Sequence, residues 1–269
     1  MLQRVITGAL IAVIIIAILF SNAAVVSAFV GLLILVAQFE ISKVVGLDKK
    51  AELVWCNILY SALFIIFICF GQFKYIGVLA AIYIVLLFVV MLFNYERIKF
   101  YDLTISIFCM IYITAAMLHI IVVRNMEFGN IYIFAVFLGA FATDTCAYFI
   151  GVLFGKNKLC EKISPKKTIE GALGGEIGVI LIMLFFGYII NKITSLNVNY
   201  LLLAILGALS GLVSQLGDLT ASIIKREFSV KDYGHILPGH GGVMDRIDSI
   251  ILTAPLVYYF VTFLPIFSA

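Results

Sequence analysis

YIGVLAAIYIVLLFVVMLF, residues 75–93, runs for 19 residues without a charge. At about 1.5 Å per residue, a helix of that length crosses a hydrocarbon core of roughly 30 Å. Outward from it the same pattern recurs, giving nine apolar segments over 5–21, 24–40, 53–71, 75–93, 103–123, 130–155, 169–190, 200–224 and 249–268. With 64% hydrophobic and 12% charged residues among 269, the chain has more apolar surface than a soluble core can hide. The expected fold is all-α, a polytopic integral membrane protein with about nine transmembrane helices forming one membrane domain over 1–269. Segments six and eight are longer than a bilayer core requires, so they should tilt or extend into water.

Charge placement orients this array. Under a nine-span count, 15 of the 18 Lys and Arg residues fall on the N-terminal side of the membrane and only Lys74, Arg124 and Lys192 fall opposite. Excess cations mark cytoplasmic loops, so the N-terminus is expected in the cytoplasm and the C-terminus outside. Arg4, the apolar run after it and SNAAVVSA resemble a signal peptide. Cutting after Ala28 would leave Phe29 to Phe39 too short to span, so both segments are read as an uncleaved hairpin. The five cysteines are odd in number and lack metal-ligand spacing, which makes them small apolar fillers.

The two halves differ in kind. Residues 1–129 carry almost no ionisable group within their apolar segments and read as scaffold, whereas 130–269 place Asp144, Glu176 and Asp218 inside apolar runs. A carboxylate at that depth must face a cavity, a cation or another polar group. The glycines of this half pair four residues apart, at Gly151 and Gly155, Gly171 and Gly175, Gly174 and Gly178, and Gly207 and Gly211. That spacing suits close helix packing. In segment eight, Gly207, Gly211, Ser214, Asp218, Ser222 and Lys225 share one helical face that grows more polar toward the cytoplasm and should line a cavity.

Polar chemistry is densest in SIIKREFSVKDYGHILPGHGGVMDRIDS, residues 222–249, which hold eight charged residues and two of the three histidines. Asp218 has two readings, an ion pair with a nearby lysine or a divalent-cation ligand. Its coincidence with Asp245 and Asp248 near one membrane surface favours the cation. Lys225, Arg226, Lys231 and Arg246 suit phosphate, and Pro238, Gly239, Gly241 and Gly242 permit a tight turn whose amides can approach a ligand. His240 either donates to a phosphate or fixes the loop; His235 is structural or exposed, and His119 is a packed histidine with a local partner. In KNKLCEKISPKKT, Lys156, Lys158 and Lys162 read as anchors to anionic lipid. Lys166 and Lys167 immediately precede a helix start at Thr168, where cations and amides can hold an anionic headgroup together. GVLFGKN has the wrong glycine spacing for a phosphate loop and lacks Ser or Thr after Lys156.

Ser222, Lys225-Arg226, Lys231-Asp232, Pro238, His240-Gly241-Gly242, Asp245-Arg246 and Asp248 together closely resemble the signature of phosphatidate cytidylyltransferases. Asp144 to Lys156 and ISPKKTIEGALGG also resemble that family. The resemblance implies condensation of CTP with phosphatidic acid to CDP-diacylglycerol and pyrophosphate, with Mg2+ as cofactor. It implies Asp218 and Asp245 as leading metal ligands, with Asp248 and Asp144 as weaker candidates. Lys225, Arg226, Lys231 and Arg246 would stabilise phosphate charge, Ser222 and His240 would complete hydrogen bonds, and Lys166 and Lys167 would bind the phosphatidate headgroup. The implied setting is a bacterial inner membrane with the site facing the cytoplasm, membrane lipid around it, a homodimer, and no nucleic-acid partner. The alternative is a cation-coupled membrane transporter, because buried carboxylates in polytopic proteins mark ion paths; here the polar residues enter from one side and stop.

Overall fold

The computed structural model describes residues 2–237, 239 and 241–268, the side chains of residues 2–7, 9 and 11 excepted. Its contacts divide the chain into two compact units, one holding residues up to Val122 with Phe228–Arg246, the other Val123–Glu227 with the residues from Ile247 onward. The first unit contains α1 (Leu2–Leu19), α2 (Ala23–Val44), α3 (Ala51–Cys69), α4 (Ile76–Phe93) and α5 (Phe100–Cys109). A π-helical segment, Met110–Ala115, follows and leads into α6 (Ala116–Arg124). The second unit contains α7 (Gly129–Phe154), strands β1 (Lys158–Cys160) and β2 (Ser164–Thr168), α8 (Ile169–Thr194), β3 (Asn197–Val198), α9 (Tyr200–Glu227) and β4 (Phe267–Ser268). The last helix, α10 (Met244–Phe263), starts in the first unit and runs on in the second.

Among the described residues eight helical stretches are long and apolar enough to cross a membrane, and they coincide with the second to ninth segments read from the sequence. The first segment coincides with α1. The chain is an all-α integral membrane protein. Two boundaries depart from expectation. The last helix covers Met244–Phe263 rather than 249–268, so Asp245, Arg246 and Asp248 lie in its opening turns. It begins before the apolar run because a carboxylate takes up its first free amides, as described below. It stops before Pro265, and Phe267–Ser268 instead pairs antiparallel with Asn197–Val198. The lysine-rich stretch after α7 is a small antiparallel hairpin, with Lys158 opposite Thr168 and Cys160 opposite Ser164.

The first unit packs its apolar helices around Leu47, Leu53, Tyr60, Tyr83, Leu87, Ile98 and Leu103. Buried amides and hydroxyls connect them. Gln38 Nε2 donates to the Cys109 carbonyl at 3.0 Å and to Thr114 Oγ1 at 2.9 Å, and Ser61 Oγ lies 2.7 Å from Thr114 Oγ1. Tyr83 and Ser106 both donate to Asn57 Oδ1, at 2.6 and 2.7 Å. The π segment begins at the residue after Cys109, so the Gln38 amide meets the backbone where the helix widens.

In the second unit glycine sets the contacts. A side chain at Gly171 would meet the Ala147 carbonyl and the Gly151 backbone of α7; one at Gly174 would strike Ile150, and one at Gly178 would strike Cys146. The expected small-residue pairs therefore fall on the α7–α8 seam. Gly207 and Gly211 continue it on α9, against Ile180 and Glu176 of α8. This inner part of the α9 stripe is consequently filled by α8 and lines no cavity. His119 lies within α6, its Nδ1 donating to the Ala115 carbonyl at 2.8 Å, the expected local partner. All five cysteines are free.

Candidate active site

In the second unit, α9 carries Asp218, Ser222 and Lys225 on successive turns of one face. β2 delivers Lys167 to it. Side chains alternate across a strand, so Lys166 is exposed while Lys167 turns inward, its Nζ 2.5 Å from Asp218 Oδ2. Thr168 ends the strand and caps α8, its hydroxyl accepting from the Gly171 amide at 3.1 Å. Glu170 then holds the preceding turn, accepting from the Lys156 and Asn157 amides at 3.1 and 3.2 Å.

α10 supplies a second acidic face. Gly217 lets α10 approach closely, because a Cβ there would stand 2.6 Å from the Asp248 carbonyl oxygen. Asp248 lies within electrostatic reach of Asp218, Lys225 and Asp144. Ser249 Oγ donates to Asp144 Oδ2 on α7 at 2.8 Å, and Ser222 Oγ makes a long bond of 3.4 Å to Asp218 Oδ1. Asp144, Lys167, Asp218, Ser222, Lys225 and Asp248 are thus brought together. Arg226 points elsewhere, its Nε donating to the Ile163 carbonyl at 3.3 Å, and Lys166 stays exposed on the hairpin.

The first unit holds the loop that precedes α10. Asp245 is 8% exposed, and its Oδ2 accepts from the Tyr233 amide at 2.8 Å and the Gly242 amide at 3.0 Å, closing the loop on itself. Gly241 has a φ of 83°, a left-handed conformation that glycine adopts without strain, within the stretch expected to turn tightly. Lys231, His235 and Arg246 are exposed. Pro238 and His240 lie outside the described residues. Glu40 of α2 went unread in the sequence: it is 2% exposed and accepts from the amides of Val243 and Met244. A glutamate in the last turns of an apolar run is the available signal. Ser249 was missed too, since a serine in a helix carries little information until its neighbour is known.

Among the described residues no group of three or more His, Cys, Asp and Glu side chains is gathered closely enough to hold a metal ion. The chemistry of the second unit's donors nevertheless suits a hard divalent cation. Asp144, Asp218, Asp248, Ser222 and Ser249 offer only oxygen. Three carboxylates also face two lysines there, which leaves negative charge in excess. Asp218 Oδ2 is engaged by Lys167, so that ion pair must open before the oxygen can serve a cation.

Residues 2–264 match the model of the cytidylyltransferase family. Among curated relatives, a phosphatidate cytidylyltransferase of Bacillus subtilis is 41% identical over 150 residues, 55% of this chain and 54% of the relative. One of Staphylococcus epidermidis is 39% identical over 181 residues, 67% of this chain and 66% of the relative. One of Synechocystis sp. is 43% identical over 145 residues, 52% of this chain and 46% of the relative. The chain thus spans about half to two thirds of the length of the curated relatives it matches. With a family match across nearly all of its helices, the chain belongs to the cytidylyltransferase family.

Proposed function

We propose that this membrane protein condenses CTP with phosphatidic acid, giving CDP-diacylglycerol and pyrophosphate. A phosphate oxygen of phosphatidate attacks the α-phosphorus of CTP, one P–O bond forms, and the α–β anhydride bond breaks to release pyrophosphate. A phosphate monoester with a second pKa of about 6 is already largely ionised near neutrality, so no strong protein base is needed. The task is to align two anions and offset their charge.

The observation that carries this reading is the meeting of carboxylates and lysines at Asp144, Asp218, Asp248, Lys167 and Lys225, in a chain with phosphatidate cytidylyltransferases among its relatives. Lys166 and Lys167, on a strand that leads directly into a transmembrane helix, suit a lipid phosphate at the membrane boundary. Lys225, Arg226, Lys231 and Arg246 suit the triphosphate and leaving pyrophosphate. Asp218 and Asp245 are the proposed magnesium ligands, with Asp144 and Asp248 in support. Magnesium, when bound, neutralises phosphate charge and fixes phosphate geometry. Ser222 and His240 complete the hydrogen bonds. The charge asymmetry of the loops supports a cytoplasmic site in a bacterial plasma membrane, and a homodimer follows from the family resemblance.

The test is incubation of purified protein with CTP, phosphatidate and varied magnesium, measuring CDP-diacylglycerol and pyrophosphate together. Equal amounts of both are expected. Folded protein that makes neither would refute the reading, and ion flux across sealed vesicles without CTP consumption would replace it with transport.

A further inference from the structure

We propose that Glu40 is a positioning residue for this reaction, a buried clamp on α2 that fixes the loop ends at Gly234 and Gly242–Val243 and the start of α10, and thereby sets Asp245. The inference rests on the proposed function for its effect on turnover; the clamp itself does not.

Both oxygens of Glu40 are engaged. Oε1 accepts from the Val243 amide at 3.1 Å and Oε2 from the Met244 amide at 2.8 Å. These amides open a helix and have no intrahelical carbonyl to meet. A carboxylate there also complements the positive end of the helix dipole. Two glycines lie flat against the same carboxylate, since a Cβ at either Gly234 or Gly242 would collide with it. Asp245 closes the loop from the other side through Tyr233 and Gly242. The loop is therefore held by two carboxylates with Gly242 common to both. Glu40 is 2% exposed and enclosed by backbone, so it reaches a substrate only through what it positions.

Two variants address this carboxylate from opposite sides. Glu40→Gln keeps the size but turns an N–H toward a backbone N–H, so one of the two bonds is lost. Gly242→Ala presses a methyl onto the same oxygens. Charge-assisted bonds of this kind correspond to about a 10- to 100-fold effect. Amide hydrogen exchange over residues 232–246 is expected to accelerate by about that factor in both variants, with exchange in α8 unchanged. The kcat for CDP-diacylglycerol formation should fall to the same extent while the KM for phosphatidate holds within about twofold. Glu40→Asp, which keeps the charge, should recover part of kcat, and the double variant should lose less than the product of the single losses.

Unchanged exchange over 232–246 in Glu40→Gln would overturn the clamp. Local acceleration with unchanged kcat would overturn the positioning role. Acceleration spread through the whole chain in both variants would reduce Glu40 to a support of the fold and overturn it as well. If the parent protein forms no CDP-diacylglycerol, the proposed function fails, while the exchange measurement still decides the clamp.

Discussion

Between α7 and α8 the contact is made of glycines; between α2, α3 and the π segment it is made of amides and hydroxyls. Lipid tails are as apolar as leucine, so burial of hydrocarbon gives helices no preference for one another in a bilayer. The second unit gains its preference from backbone approach, with Gly171 resting on Gly151. The first gains it from directed bonds among Gln38, Thr114, Ser61, Asn57, Tyr83 and Ser106. At Gly171 and Gly175 the seam tolerates no added atom, because what it would meet is backbone. A polar network loses one bond at a time, and its members can find other partners. Close packing therefore accompanies the carboxylates of the candidate site, and the more forgiving arrangement lies in the earlier helices of the chain.

The largest effect should come from filling the seam. Gly171→Val sets a branched side chain against the Ala147 carbonyl and Gly151, at a cost of about 3 kcal/mol or more; monodisperse yield after detergent extraction should collapse. A parent-like elution profile and melting temperature would break the comparison at its strongest point. Next comes Asp218→Asn, which removes the charge that Lys167 pairs with. Magnesium-dependent turnover should drop by roughly 100-fold or more while folding stays intact, and full turnover would remove Asp218 from the metal assignment. Smaller again is Gln38→Leu. It strips a donor from the Cys109 carbonyl and Thr114, and membrane hydrogen bonds of this kind contribute about 0.6 to 1.7 kcal/mol. Unfolding in detergent should show a loss in that range, and a loss equal to that of Gly171→Val would erase the distinction between the two seams. The smallest effect is expected at Lys166, exposed where Lys167 is paired. Lys166→Ala should raise the KM for phosphatidate about threefold, in keeping with the modest worth of exposed charges; a larger effect than that of Lys167→Ala would reverse the roles given to the two lysines.

What could be read in the sequence follows the same division. Apolar runs and glycine spacing are local signals, and they mark the membrane helices and the glycines that pack closely, though not which helices meet. The shared face of Asp218, Ser222 and Lys225 was legible because helical periodicity is local as well. The hairpin at 158–168 was not. KNKLCEKISPKKT has no apolar alternation, and what holds its ends is the grip of Glu170 on Lys156 and Asn157 together with the Ile169 amide on the Asn157 carbonyl. The start of α10 was misplaced because the group that caps it lies on α2. A carboxylate that serves a helix elsewhere in the chain leaves no pattern around itself beyond being out of place.

Glu40 and Met244 are separated by 204 positions, and this distance has a meaning in time. At synthesis rates of about 5–20 residues per second, α2 enters the bilayer roughly 10–40 s before its partner amides exist. Through that interval Glu40 has neither of the two amides it finally holds. Insertion of the early helices must therefore proceed with the Glu40 carboxylate met by other groups, and α10 is the helix that brings its final partners.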